Sequence, residues 1–176
     1  MSGQIVIIAI DPGAKGAIAI LDPDRRPYVV RMPETPREIL EYLREQKRNW
    51  ALHPCECVIE QVGQYFPLKH IHDPAKRAVA EAGRVGSLLK LREHYGELQG
   101  FLGALDIPFS PVTPTTWMNA VVSKESRPKG GSQDATAARK KAITARMQEL
   151  YPELKITNDN ADALGILTWR RRLYNR

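Results

Sequence analysis

The chain has 176 residues, of which 43% are apolar, enough for one core and in keeping with a single domain over residues 1–176. No stretch reaches the ~18 to 20 apolar residues of a membrane span. The first apolar run carries Asp11 and lacks a basic leader and a small-residue cleavage site, so no signal peptide and no membrane partner are expected. The net charge of +6 points instead to a polyanionic partner.

Gln4 to Ile10 is a short, nearly uninterrupted apolar run of β-branched type, the pattern of a strand buried on both faces, and it ends in Asp11-Pro12-Gly13. Gly16 to Leu21 reads as a second strand, Asp22 to Arg26 as a polar turn, and Tyr28 to Met32 as a third strand, so short connections predict an antiparallel meander. Pro36 to Asn49 has Ile39, Leu40 and Leu43, with Trp50 beyond, at helical spacing. The next strand, Cys55 to Ile59, ends in Glu60-Gln61 and can lie parallel to the first through a right-handed crossover. A long helical region follows from about Pro74 to Leu105, interrupted or bent near Gly96 and Gly100. Ile107 to Val112 is a fifth strand whose prolines suit a sheet edge. Thr113-Pro114 opens a short helix through Val122, and Thr136 to Leu150 repeats Arg139, Ile143, Met147 and Leu150 at helical spacing. The order read from the chain is βββαβαβα plus a final helix.

That final helix is the most informative element. Asp159, Asp162, Ile166, Trp169 and Leu173 recur at spacings of 3, 4, 3 and 4, which places two carboxylates at the head of an apolar face. A carboxylate on a packed face loses hydration, which is costly unless a cation or donor compensates it. Two of them one turn apart point to a metal site. The alternative is that acids simply favour the first turn of a helix capped by Asn158. Asp11 and Glu60 end two buried strands at the rim where ligand sites of open α/β sheets collect. Singly, each is also explained by a turn or an exposed strand end. Four acids at the ends of converging elements favour a site. Cys55 and Cys57 are expected to be buried reduced thiols, and His70-x-His72 has no partner at zinc spacing.

Ile10-Asp11-Pro12-Gly13, Ile59-Glu60-Gln61-Val62 and Asp159-Asn160-Ala161-Asp162-Ala163-Leu164 resemble, in that order, the first-strand, fourth-strand and C-terminal acidic-helix motifs of the RuvC family of Holliday junction resolvases, within the ribonuclease H-like superfamily. The resemblance spans about Ile5 to Trp169. It implies an α/β fold with a five-stranded mixed sheet, three antiparallel strands then two parallel ones, flanked by helices. It also implies that Asp11, Glu60, Asp159 and Asp162 form a metal-binding tetrad for two Mg²⁺ ions, with Mn²⁺ able to substitute. The implied substrate is four-way branched DNA, in recombination and repair, in the cytoplasm of a prokaryote or of a phage-infected host. A homodimer is implied as well, and Gly96-Glu97-Leu98-Gln99-Gly100 is similar to the small-residue helix segment near the family's dimer interface.

Three departures from the bacterial pattern stand out. The stretch from Leu68 to His94 has no clear counterpart, which suggests a phage-type or divergent member. The family's base-contacting aromatic follows the fourth-strand acid closely, whereas Val62 is followed here by Gly63, leaving Tyr65 and Phe66 as candidate wedges or as ordinary loop packing. Of the two basic residues near the scissile phosphate, Lys140 matches one, and Met118 stands at the other position.

The charge distribution agrees with a nucleic-acid partner. Residues 123 to 141 hold Lys124, Arg127, Lys129, Arg139, Lys140 and Lys141 against Glu125 and Asp134, a net +4. Arg170, Arg171, Arg172 and Arg176 add another +4, so the remainder is −2. Ser123 to Gln133 reads as a mobile basic loop in contact with phosphates, or as a solvated linker. The expected chemistry is two-metal phosphodiester hydrolysis with ions ~3.5 to 4 Å apart, and hard oxygen ligands suit Mg²⁺ or Mn²⁺. Asp11 is then the bridge, Glu60 and Asp162 complete separate shells, Asp159 ligates directly or through water, and Lys140 stabilises the phosphate. Cutting two opposed strands requires two-fold symmetry. The competing readings are a related nuclease acting on RNA-DNA hybrids or flaps, and an actin-like phosphotransferase suggested by the hairpin Asp11 to Gly16. The latter needs a second domain, and the chain has no P-loop. A non-catalytic junction-binding module is disfavoured by the presence of all four acids.

Overall fold

The computed structural model describes residues 5–63, 73–123 and 133–174. Three strands come first, β1 (Val6–Asp11), β2 (Ala17–Leu21) and β3 (Pro27–Arg31). They are followed by α1 (Pro36–Asn49), β4 (Cys55–Glu60), α2 (Pro74–Ala104) and β5 (Phe109–Val112). Three helices close the order, α3 (Pro114–Val121), α4 (Gln133–Leu150) and α5 (Ala161–Tyr174). The sheet runs β3-β2-β1-β4-β5, antiparallel across β3, β2 and β1 and parallel across β1, β4 and β5. This is the expected five-stranded mixed sheet, three antiparallel strands then two parallel ones, and the proline-bearing β5 is an edge.

Both faces of the sheet are covered, which is why β1 and β2 read as continuous apolar runs. Val6, Ile8 and Ile10 pack with Ile39 and Leu43 of α1 and with Leu98 and Leu102 of α2. Ile7, Ala9 and Val58 pack with Trp117 of α3, Met147 of α4 and Leu164 of α5. The two-residue alternation of strands therefore assigns Asp11 and Glu60 to the second face, beneath α3, α4 and α5.

Two expectations are corrected. α2 runs without a break through Gly96 and Gly100. Glycine in a helix costs only about 1 kcal/mol relative to alanine, and the fully buried Leu98 and Leu102 fasten this segment to the sheet. A Cβ at either glycine would meet nothing within 4 Å, so both lie on the outward side. The second correction concerns α5, which begins at Ala161, so that Asp159 lies in the preceding turn. Asn158 is not the cap, because its Oδ1 accepts from Thr144 Oγ1 at 2.8 Å. Asn160 occupies the helix entry, its Oδ1 accepting from the Thr157 amide (2.8 Å) and its Nδ2 donating to the Lys155 carbonyl (3.0 Å). Ala161 and every residue from Ala163 to Thr168 are buried, so the helix enters the core on all sides rather than along one stripe.

α5 is held antiparallel to β4 by a match of lengths. At its far end Arg170 grips Glu56 with two hydrogen bonds of 2.6 and 2.7 Å. From Arg170 back to Asp162 the helix rises ~12 Å, and from Glu56 to Glu60 the strand advances ~13 Å. Fixing the first pair thus brings Asp162 to the level of Glu60. No helix among the described residues is long and apolar enough to cross a membrane, and both cysteines are free thiols.

Candidate metal centre

Asp11 and Glu60 are the last residues of two parallel neighbours whose register pairs Ile10 with Ile59, so the two acids stand side by side at one edge of the sheet. The first turn of α5 adds Asp162. Burial, followed by repulsion from Glu60 and Asp162, pushes the Asp11 carboxyl up to about 8. Asp159 adds a smaller repulsion, and Lys140 works in the opposite direction. Glu60 is pushed up to about 7, again chiefly by burial, with Asp162 adding to it and a hydrogen bond from Trp117 opposing it. Burial raises Asp162 too, against the pull of Lys140. These three groups carry more negative charge, when ionised, than the surrounding protein neutralises.

A hard divalent cation is the natural complement of such a set, because carboxylate oxygens are its preferred ligands and it would relieve the mutual repulsion. Among the described residues, no three His, Cys, Asp or Glu side chains are gathered into a cage around one point. The carboxylate donor chemistry suits such a cation, although the three side chains are not gathered around one point in this structure.

Asp159 stands apart from the other three. Its carboxylate accepts from Arg31 at 3.3 Å, and the two side chains are 37% and 72% exposed. Arg31 reaches it because the register runs from Asp11 to Ala17 to Arg31 across three strands, one row of the sheet. An exposed pair of this kind is worth about 0 to 1 kcal/mol, so it restrains Asp159 only weakly.

Lys140 lies exposed on α4 and its charge acts on Asp11, Glu60 and Asp162 alike. Arg139 and Lys141 neighbour it, but successive helical residues point about 100° apart, so the three do not share one aspect. Met118 packs against the core beneath α3, α4 and α5 and brings no charge. Tyr65, Phe66, Lys124, Arg127 and Lys129 lie outside the described residues, as do His70 and His72.

The chain turns sharply after Asp11. Gly13 has φ 114°, and its amide donates to His94 Nδ1 of α2 at 2.9 Å. Burial pulls the His94 pKa down, in keeping with a neutral ring that accepts at Nδ1. A Cβ at Gly16 would fall 2.0 Å from the Asp11 carbonyl oxygen, so the chain closes on itself there only with glycine. His94, Arg31 and Trp117 were not singled out from the sequence as site residues. Each is remote along the chain from the acid or loop it touches, and no local pattern marks it.

No family model matches the chain, and no curated protein matches it. Among solved structures, the chain is similar to Thermus thermophilus RuvC in complex with a Holliday junction substrate, at 15% identity over 96% of both chains with a TM-score of 0.48. A Thermus thermophilus RuvC structure matches at 14% identity over 96% of both chains, TM-score 0.46. The fowlpox virus Holliday junction resolvase matches at 14% identity over 95% of this chain and 99% of that one, TM-score 0.43.

Proposed function

We propose that the chain is a metal-dependent endonuclease that resolves four-way DNA junctions by paired nicks, acting as a homodimer. The observation that carries this reading is the convergence of Asp11, Glu60 and Asp162, from two strand ends and one helix, into a half-buried cluster whose charges repel one another and are not fully neutralised among the described residues. The acidic motifs that resemble the RuvC family supply the substrate class, and the concentration of +8 in two segments supplies the affinity for a phosphate backbone.

In this reading Asp11, Glu60 and Asp162 would hold two Mg²⁺ or Mn²⁺ ions. Such ions, when bound, supply a water activated near neutral pH and neutralise charge on the attacked phosphate and leaving oxygen. Asp159 would serve as a further ligand or act through water. Lys140, already on the same side as the acids, stabilises the scissile phosphate. Lys124, Arg127, Lys129, Arg139 and Lys141 contact the backbone, while Tyr65 or Phe66 stacks into the opened junction centre. The carboxylates orient and neutralise, and need not themselves exchange protons with the substrate.

The test is cleavage of matched four-way, Y-shaped, duplex and RNA-DNA substrates in Mg²⁺ or Mn²⁺, with every nick mapped. Symmetric nicks on opposed strands of the four-way substrate are expected. Preferential cutting of the RNA-DNA hybrid would transfer the chain to the hybrid-cleaving class.

A further inference from the structure

The geometry points to Trp117 as the positioning residue of Glu60, a role that rests on Glu60 being a metal ligand. Trp117 is 1% exposed, and its Nε1–H donates to Glu60 Oε2 at 2.6 Å. A buried indole needs some acceptor, but a backbone carbonyl would satisfy it equally well. Here the acceptor is one oxygen of a carboxylate at the strand end. The contact lowers the cost of keeping Glu60 charged in a buried place.

The chain is arranged to make this contact. Val112 pairs with Glu60 in the parallel register, and the chain turns at once into α3, whose N-cap Thr113 accepts from the Thr116 amide at 3.2 Å. One turn later Trp117 lies back over the strand end. On its other side the ring lies against α5 at Gly165, where an added Cβ would come within 2.5 Å of Cζ3 and 3.0 Å of Cε3. Glycine inside a helix is unfavourable without a packing reason, and the ring supplies that reason. Gly165 is three residues after Asp162, on the same side of α5. One flat side chain therefore spaces the helix bearing Asp162 from the strand bearing Glu60 and fixes the rotation of the Glu60 carboxylate. Partners that orient a metal ligand typically change metal affinity by 10 to 100-fold when removed.

Calorimetric titration of the full chain with Mn²⁺ tests this, comparing wild type with Trp117→Phe, which keeps an aromatic ring and deletes the donor. We expect binding weakened by roughly tenfold or more, with the far-ultraviolet circular dichroism unchanged. Equal affinity in the two proteins overturns the assignment and leaves the metal site standing. If wild type itself takes up no Mn²⁺, the metal reading fails and this inference fails with it. A second measurement needs no variant at this position to fold. In ¹⁵N-labelled wild type the Trp117 indole signal, identified by elimination using Trp50→Phe and Trp169→Phe, should shift as Mg²⁺ is added. An unmoved signal at saturating Mg²⁺ overturns the proposal.

Discussion

Replacing Asp11 by Asn should stabilise the metal-free protein at pH 8 while abolishing cleavage, two effects that ordinarily do not travel together. In the folded chain the Asp11 carboxyl keeps its proton up to about 8, against an ordinary value of 3.8. Between those values the folded state binds more protons than the unfolded one, so stability falls as pH rises through this window. Treated as an isolated site, the loss between pH 5 and pH 8 is roughly 4 kcal/mol at 1.36 kcal/mol per pH unit. Burial of the charge is the larger cause and repulsion from Glu60 and Asp162 the smaller, so a single neutral replacement recovers part of the loss, on the order of 1 to 2 kcal/mol. For a chain of this length that is about 2 to 8 °C in melting temperature. The assay is thermal unfolding of both proteins in EDTA at pH 5 and pH 8, repeated with Mg²⁺. The advantage of Asp11→Asn should grow with pH in EDTA, and Mg²⁺ should raise the wild-type melting temperature more than that of the variant. An advantage independent of pH, or cutting at the wild-type rate by Asp11→Asn in Mg²⁺, would refute the reasoning.

Glu60→Gln and Asp162→Asn should each abolish cleavage yet leave junction binding, read by gel shift, largely intact, because the basic surface survives. Asp159→Asn should be the mildest of the acid replacements, since Asp159 is partly exposed and paired with Arg31; a loss as complete as that of Asp162→Asn would count against the three-acid core. Neutralising Lys124, Arg127 and Lys129 should weaken binding and reduce the slope of log affinity against log salt by about one unit per true phosphate contact. An unchanged slope returns that segment to the role of linker. Alanine at Tyr65 or Phe66, whichever stacks, should lower junction cleavage by roughly tenfold or more, since a stacked base is worth about 1 to 3 kcal/mol and each 1.4 kcal/mol is a factor of ten. A large fall in melting temperature with proportionate loss of activity would identify core packing instead.

The strands were legible because burial on both faces leaves a continuous apolar signature in β1, and the meander because its turns are short and polar. Asp11 and Glu60 could be read as neighbours because each ends such a strand. The start of α5 was misread for a definite reason: Asp159 fits the helical spacing, but Asn160 binds the Thr157 amide and the Lys155 carbonyl and so sets the helix entry after it. Periodicity carries no information about which polar residue wins the cap. Gly96 and Gly100 suggested a break because glycine weakens helices, whereas the packing of Leu98 and Leu102 decides the matter. Trp117 stayed out of sight since its partner is 57 residues away, and a tryptophan amid apolar residues reads as core.

The structure of α5 joins two opposing demands on one element. Its N-terminal turn carries Asp162 toward two other acids, an arrangement that repulsion alone would open. Its far end is tied by the two Arg170–Glu56 hydrogen bonds, and its middle by Thr168, whose hydroxyl meets Tyr151 at 2.8 Å and the Leu164 carbonyl at 2.7 Å. A partly buried ion pair of this kind contributes little net stability, because desolvation offsets the attraction, but it discriminates strongly between registers. Sliding α5 by one residue would separate Arg170 from Glu56 and drive the Trp117 ring from Gly165 against a side chain. The approach of α5 to the strand ends is therefore fixed largely by contacts remote from the carboxylates, while the Trp117–Glu60 hydrogen bond is made at the cluster itself.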